Sequence, residues 1–193
     1  MTRIIGGRAG GRRLQTPKGD ATRPTSDRVR EALFSAIEAR VGSLEGLRVL
    51  DLYAGSGAIG LEAWSRGAAA VTLVESDRRT AELIRSNARE IGCDVAVVTN
   101  LPVASALAGG ATAPYDLVFT DPPYPLDEVT VADDLALLSA QGWLAGDALV
   151  IVERASRSPE PMWPRRLEPL PGKRRQKKYG ETTLWFASAA THH

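Results

Sequence analysis

Cysteine is almost absent. Cys93 stands alone in 193 residues, so no internal disulfide framework can form, and a reducing, cytoplasmic setting is expected. Histidine is as scarce: His192 and His193 close the chain and are set aside as an expected tag remnant, and no metal site is expected. The start, Met1-Thr2-Arg3-Ile4-Ile5-Gly6-Gly7-Arg8, lacks the apolar stretch of a secretory signal. Residues 95–115 carry no charge and are long enough for a membrane span. Asn100, Pro102 and Gly109-Gly110 interrupt them, so strand–turn–helix is the better reading and no membrane association is expected. Internal repeats are also lacking, and the length suits one domain with a full core.

What is present is charge, unevenly placed. The total is +1, yet residues 1–30 hold eight Arg/Lys against two Asp, and residues 165–178 hold seven Arg/Lys against Glu168. Each segment is +6, which leaves −11 for the rest. A single basic run is usually a solvated face. Two basic poles on an acidic body suggest a polyanion held at a defined place.

In chain order, residues 3–17 predict two short strands around a glycine-rich turn, with four glycines between Gly6 and Gly11. This basic hairpin has too little apolar side chain for a core of its own and must project from, or lean on, the rest. Gly19 to Thr25 is a turn-rich linker, and Thr25 or Ser26 caps a helix. Val29, Leu33, Phe34, Ile37 and Val41 face the body, and Gly42 ends that helix. Strand and helix signals then alternate: strand 47–52, helix 57–66, strand 70–75, helix 77–91, strand 94–99, strand 115–120, helix 129–139 and strand 148–153. Mostly unalternated strands separated by helices predict an α/β fold, a doubly wound, mostly parallel sheet covered on both faces. A proline-rich stretch follows, and the strand from Thr182 to Ala187 is expected to join antiparallel. The chain thus divides into a hairpin and linker (1–24), a main domain (25–188) and a tail (189–193).

Two motifs carry chemistry. The apolar run Tyr115–Thr120 leaves the sheet at Asp121-Pro122-Pro123-Tyr124, where the double proline can continue neither ladder nor helix. A carboxylate, a carbonyl without a proline N–H to pair it, and an aromatic ring could cradle the exocyclic amine of a nucleobase. A plain proline-terminated strand fits the same four residues, so context decides. The second motif, Asp51-Leu52-Tyr53-Ala54-Gly55-Ser56-Gly57-Ala58-Ile59-Gly60, joins a strand to a helix and matches G-x-G-x-x-G, with Glu75 twenty residues after Gly55. That is also the dinucleotide fingerprint, so a nicotinamide-dependent oxidoreductase is weighed. An anionic pyrophosphate wants bare N–H groups here, whereas Asp51 points a charge into the turn. The sulfonium and ammonium of S-adenosylmethionine suit such a loop, with Glu75 on the ribose hydroxyls.

With these residues in view, the chain resembles the class I S-adenosylmethionine-dependent methyltransferases, and more narrowly the bacterial 16S rRNA guanine-N2 methyltransferases of the RsmD type. The resemblance runs through Arg3-Ile4-Ile5-Gly6-Gly7 with Gly11-Arg12, Thr22-Arg23-Pro24-Thr25-Ser26-Asp27-Arg28-Val29-Arg30-Glu31-Ala32-Leu33-Phe34, the Asp51 loop, Asp121-Pro122-Pro123-Tyr124 and Tyr179-Gly180-Glu181-Thr182. It implies methylation of guanine-966 of 16S rRNA, in the 30S subunit or its assembly intermediates, with no obligate protein partner. Carried over, it puts Asp51, Ala54, Gly55 and Gly57 around the methionine end of the cofactor and Glu75 on the ribose. Tyr53, Ser56, Ser76 and Asp121 complete the set, with Asn100 and Leu101 where relatives hold the adenine amine with an acid.

The expected chemistry follows. Asp121 and the Pro122 carbonyl accept the amine protons and localise a lone pair otherwise delocalised into the ring, while Tyr124 stacks on a base swung out of folded RNA. Arg3, Arg8, Arg12, Arg13, Arg23, Lys173, Arg174, Arg175, Lys177 and Lys178 are the expected phosphate contacts. A DNA adenine-N6 methyltransferase and a non-catalytic RNA-binding assembly factor stand as alternatives. Cytosine C5 chemistry is disfavoured, because the single thiol lies in no motif.

Overall fold

The computed structural model describes residues 2–18, 26–123 and 126–190. The linker with Arg23, the ring of Tyr124 and the tail from Thr191 lie outside the described residues.

A two-stranded antiparallel ladder opens the chain, β1 (Thr2–Arg3) with β2 (Arg13–Leu14). Ser26 caps α1 (Asp27–Val41) by accepting the Val29 N–H, and Gly42 ends it at positive φ. There follow β3 (Arg48–Leu52), α2 (Ala58–Ser65), β4 (Ala70–Val74), α3 (Arg78–Glu90), β5 (Ala96–Thr99), α4 (Val103–Ala108), β6 (Tyr115–Thr120), α5 (Glu128–Ala140) and β7 (Leu144–Ala155). The chain closes through β8 (Leu167–Pro169), a short 3-10 turn (Gly172–Arg174), β9 (Gln176–Tyr179) and β10 (Thr182–Ala189). The sheet runs β5-β4-β3-β6-β7-β10-β8, with β9 also on β10. The first five of these strands are parallel; β10 joins β7, β8 and β9 antiparallel. The doubly wound α/β expectation with an antiparallel final strand holds. Among the described residues no helix is long and apolar enough to cross a membrane.

Successive strand residues face opposite layers, and the core divides accordingly. Leu117 and Phe119 of β6 pack with Leu33, Phe34 and Ile37 of α1, Leu61 of α2 and Ile84 of α3. Val118, between them, packs with Val103 and Leu107 of α4 and Leu135 and Leu138 of α5. The hairpin leans on the body: Ile4 and Leu14 are fully buried in the α1–α2–α3 layer. Glu62 accepts the N–H groups of Ile5 and Gly6 at 2.8 and 2.9 Å, and Asn87 bonds both the N–H and the carbonyl of Gln15. The contact is close enough that a Cβ at Gly7 would sit 1.9 Å from the Ser65 carbonyl oxygen.

Some elements differ from expectation. β7 starts four residues early, because Leu144 pairs with Tyr115 ahead of a register shift and Asp147 takes a positive φ that absorbs the extra chain. β8 and β9 fall in proline-rich and basic sequence without strand-like alternation. They form because β10 offers each a backbone edge to pair with, which outweighs local propensity.

Candidate active site

The strand order reverses between β3 and β6: the connections from β3 run outward through β4 and β5, those from β6 through β7. A doubly wound sheet opens a crevice at the carboxyl ends of such strands. Asp51 of β3 and the Asp121 turn after β6 both stand there.

The glycine loop is held from several directions. Asp51 is 2% exposed, and its Oδ2 accepts the Gly60 N–H at 3.0 Å. Burial, only partly offset by that bond, pushes its carboxyl up to about 8, with the charges of Glu75 and Glu153 adding to the rise. Glu75 Oε1 accepts the Gly55 N–H at 3.1 Å, so the spacing of twenty residues closes the loop onto the end of β4. Its Oε2 accepts the Asp77 N–H at 2.8 Å. Gly55 has φ +58° and open space where a Cβ would lie, which leaves its backbone facing the crevice. Gly57, at φ +84°, begins α2 packed against Ile84 and Leu73. Tyr53 is a non-glycine at positive φ, and its hydroxyl donates to Asp134 of α5. Asn87 of α3 donates to the Ser56 carbonyl at 3.0 Å and so supports the loop from beneath.

Asp121 is half-buried at the mouth of β6. Its carboxyl is held well above the ordinary range, first by burial, then by the charge of Glu153 and a hydrogen bond with it, and then by Asp51; Arg154 opposes the rise. The Pro123 carbonyl accepts the Leu126 N–H at 2.9 Å and closes the turn, whereas the Pro122 carbonyl has no hydrogen-bond partner among the described residues.

One cavity of about 930 Å³ gathers these groups. Of the residues singled out from sequence, Asp51, Tyr53, Ala54, Gly55, Ser56, Glu75, Ser76, Asp121, Pro122 and Pro123 line it. Gly57 does not, being turned into the helix packing. Asn100 and Leu101 do not line it either: the Asn100 amide donates to the carbonyls of Glu75 and Ser76, fastening the rim, and Leu101 is exposed beside it.

Sequence reasoning missed four charged residues of the wall, Arg30 of α1, Glu153 and Arg154 of β7, and Glu181. Their signals were slight, one arginine of three on a helix, a charged pair at the end of an apolar strand beside the motif strand, and an acid in a turn. Cys93 is buried in the core, its thiol pushed up by that burial.

The hairpin, and the residue that follows the second basic segment, reach this cavity. Thr16 and Pro17, just past β2, line one side, and Tyr179, at the end of β9, lines another. Lys173, Arg174, Lys177 and Lys178 are exposed on the 3-10 turn and β9. Arg175 is engaged by Glu160 in two bonds of 2.7 and 2.8 Å. On the hairpin, Arg13 is exposed, Arg3 meets Asp27, Arg8 lies over the Trp64 ring, and Arg12 donates to the Glu90 carbonyl.

Known proteins resemble this chain in sequence and in fold. The family model described as Conserved hypothetical protein 95 matches residues 2–188. Ribosomal RNA small subunit methyltransferase D of Escherichia coli (strain K12) is 42% identical over 151 residues, covering 78% of this chain and 73% of that protein. The protein of that name from Haemophilus influenzae is 36% identical over 160 residues, covering 81% and 80%. Among solved structures, yhhF of Escherichia coli superposes with a TM-score of 0.85 at 34% identity over 99% of each chain.

Proposed function

Because the chain belongs to the Conserved hypothetical protein 95 family, the family of ribosomal RNA small subunit methyltransferase D, we propose that it methylates ribosomal RNA. The finer reading is transfer from S-adenosylmethionine to the exocyclic N2 of a guanine of 16S rRNA, guanine-966, in the cytoplasmic 30S subunit or an assembly intermediate. The observation that carries it is the meeting of the Asp51 loop and the Asp121 turn at one cavity.

The donor set fits this cofactor. Five acids, Asp51, Glu75, Asp121, Glu153 and Glu181, outnumber Arg30 and Arg154 on the wall, which favours a cationic ligand and disfavours the pyrophosphate of a dinucleotide. The open backbone at Gly55 leaves room for close approach, and Glu75 keeps lone pairs for ribose hydroxyls. When bound, the cofactor supplies an electrophilic methyl on a sulfonium. The chain does the rest by placement. Asp121 and the Pro122 carbonyl accept the two amine protons, favour a pyramidal nitrogen and aim its lone pair. Tyr124, outside the described residues, is assigned the stacking role from its motif. The basic side chains on either side of the rim hold phosphates while the target base leaves its stack.

The test is labelled S-adenosylmethionine with purified 30S subunits, naked rRNA and DNA, followed by nucleoside analysis, for the wild type and Asp121→Ala. N2-methylguanosine from 30S, reduced at least ~100-fold in the variant, is expected. Label in DNA adenine alone overturns the substrate. RNA binding without label anywhere leaves an assembly factor.

A further inference from the structure

Glu153 has no assigned part in this chemistry, yet the fold sets it beside the motif acid. β6 and β7 are parallel, with Thr120 opposite Val152, so the next residue of each strand is Asp121 on one side and Glu153 on the other. Both line the cavity, and Glu153 is 8% exposed. The parallel register sets the two carboxyls side by side on one face of the sheet, each next to the other's charge. Two ionised carboxylates are acceptors only, so a bond between them requires a proton.

We propose that Asp121 and Glu153 work as one carboxyl pair holding a single proton, with Glu153 positioning Asp121 toward the substrate amine and sharing the proton that the methylated amine sheds. This rests on the reading of the site as an amine methyltransferase. In that final step an N–H bond breaks, its electron pair stays on nitrogen, and the proton joins an Asp121 oxygen. The pair goes from one proton to two and from a charge of −1 to zero, then returns one proton to water. A carboxylate alone would complete the same step. What Glu153 adds is a fixed orientation and a charge state that does not double in a buried place.

The surroundings favour retention of the resident proton. Asp51 of β3, when ionised, opposes a charge on Asp121, and Glu75 at the end of β4 lines the same wall. Against them stand Arg154 of β7, itself bonded to Glu128 of α5 at 2.7 Å, and Arg30 of α1, which is tied to Glu62. Tyr53 after β3, Tyr179 at the end of β9 and Glu181 between β9 and β10 complete the titratable wall. Burial acts on Asp121 in the same direction as its acidic neighbours.

Two measurements on the full chain decide the matter. Carboxyl carbon NMR of the ligand-free protein follows Asp121 through pH in the wild type and in Glu153→Gln. Two coupled steps are expected in the wild type, the later one well above the ordinary carboxyl range. In the variant, one step is expected at clearly lower pH, because the amide donates without ever carrying charge. A single ordinary step in the wild type, or an unmoved midpoint in the variant, overturns the proposal. Methyl transfer against pH is the second readout. Glu153→Gln is expected to lose about tenfold and Glu153→Leu ~100-fold or more, and only the wild type is expected to keep the pH step of the pair. Equal rates in Glu153→Leu and wild type, or a wild-type pH step surviving in Glu153→Gln, overturn it too. If the wild type methylates no rRNA at all, the functional reading fails while the NMR titration still decides the pair.

Discussion

Arg30 and Glu62 form an ion pair sealed from water, Nε to Oε1 at 3.4 Å, with side chains 1% and 0% exposed. Arg30 also donates to the Arg3 carbonyl and the Thr2 hydroxyl. Glu62 takes the Arg66 guanidinium at 2.9 Å and two hairpin N–H groups. One buried carboxylate therefore joins α1, α2 and the hairpin, and Arg30 carries that junction to the cavity wall. Glu62→Ala would leave two backbone donors unpaired and the buried Arg30 with Asp27 as its remaining counter-charge. A loss of about 3–5 kcal/mol is expected by denaturant unfolding. Hydrogen exchange at Ile5 and Gly6 should rise while β3 and β6 stay protected. Equal protection at both places would show that the hairpin docks without this carboxylate.

Two hairpin glycines separate crowding from backbone strain. Both Gly7 and Gly11 have positive φ, at +78° and +86°. A Cβ at Gly7 meets the Ser65 carbonyl, whereas one at Gly11 meets nothing within 4 Å. Gly11→Ala should therefore cost only the left-handed penalty of ~1–2 kcal/mol. Gly7→Ala should cost more and loosen the hairpin, since backbone has to move. Comparison of their unfolding midpoints checks the order.

Asp51 sets a pH dependence of stability. Its carboxyl titrates near 8 in the folded chain against 3.8 as the ordinary value. Folding thus favours the protonated form, so this contribution is full below pH ~4 and is lost as pH rises toward ~8. Asn cannot ionise and should still accept the Gly60 N–H. Asp51→Asn is expected to gain stability over the wild type progressively from pH 4 to pH 8, in the ligand-free protein. A thermal-melt difference that stays flat across that window would refute it.

The same group governs ligand binding with the opposite outcome. A cationic ligand favours ionised Asp51, so binding should draw the proton off. Affinity for S-adenosylmethionine should climb with pH below ~8 by up to tenfold per unit, with up to one proton released per site. Calorimetry in buffers of different ionisation heat reads that proton directly. Asp51→Asn should bind poorly and release none.

These relationships differ in how far the sequence discloses them. Unalternated apolar runs disclose the parallel strands, and Gly55 with Glu75 twenty residues on discloses a loop closed by an acid, because spacing is local information. Arg30 and Glu62 read as ordinary surface charges of helices. Their burial depends on the hairpin packing over them, which no periodicity records. Glu62 did leave a trace, as a lone charge in the apolar stretch Ala58–Trp64. Glu153 resembled any acid at the end of a strand until strand register set it opposite Asp121. β9 was hidden for a similar reason, its pairing being supplied by β10 and not by its own basic residues.

The basic residues of β9 and the 3-10 turn are not equivalent, and salt titration should tell them apart. Lys173, Arg174, Lys177 and Lys178 are exposed, whereas Glu160 already holds Arg175 through both guanidinium nitrogens that face it. A residue that neutralises a phosphate releases a counterion, worth about 0.7–0.9 in the slope of log affinity against log salt. Replacing Lys177 and Lys178 with Ala should flatten the slope for rRNA binding by ~1.5, if each meets one phosphate. Arg175→Ala should flatten it far less, because the charge it removes is already balanced and Glu160 then keeps only the Trp163 indole N–H. Loss of affinity without change of slope in the lysine variant would mean that β9 does not grip phosphates. A slope that falls as much for Arg175 as for the lysines would mean that RNA displaces Glu160 on binding.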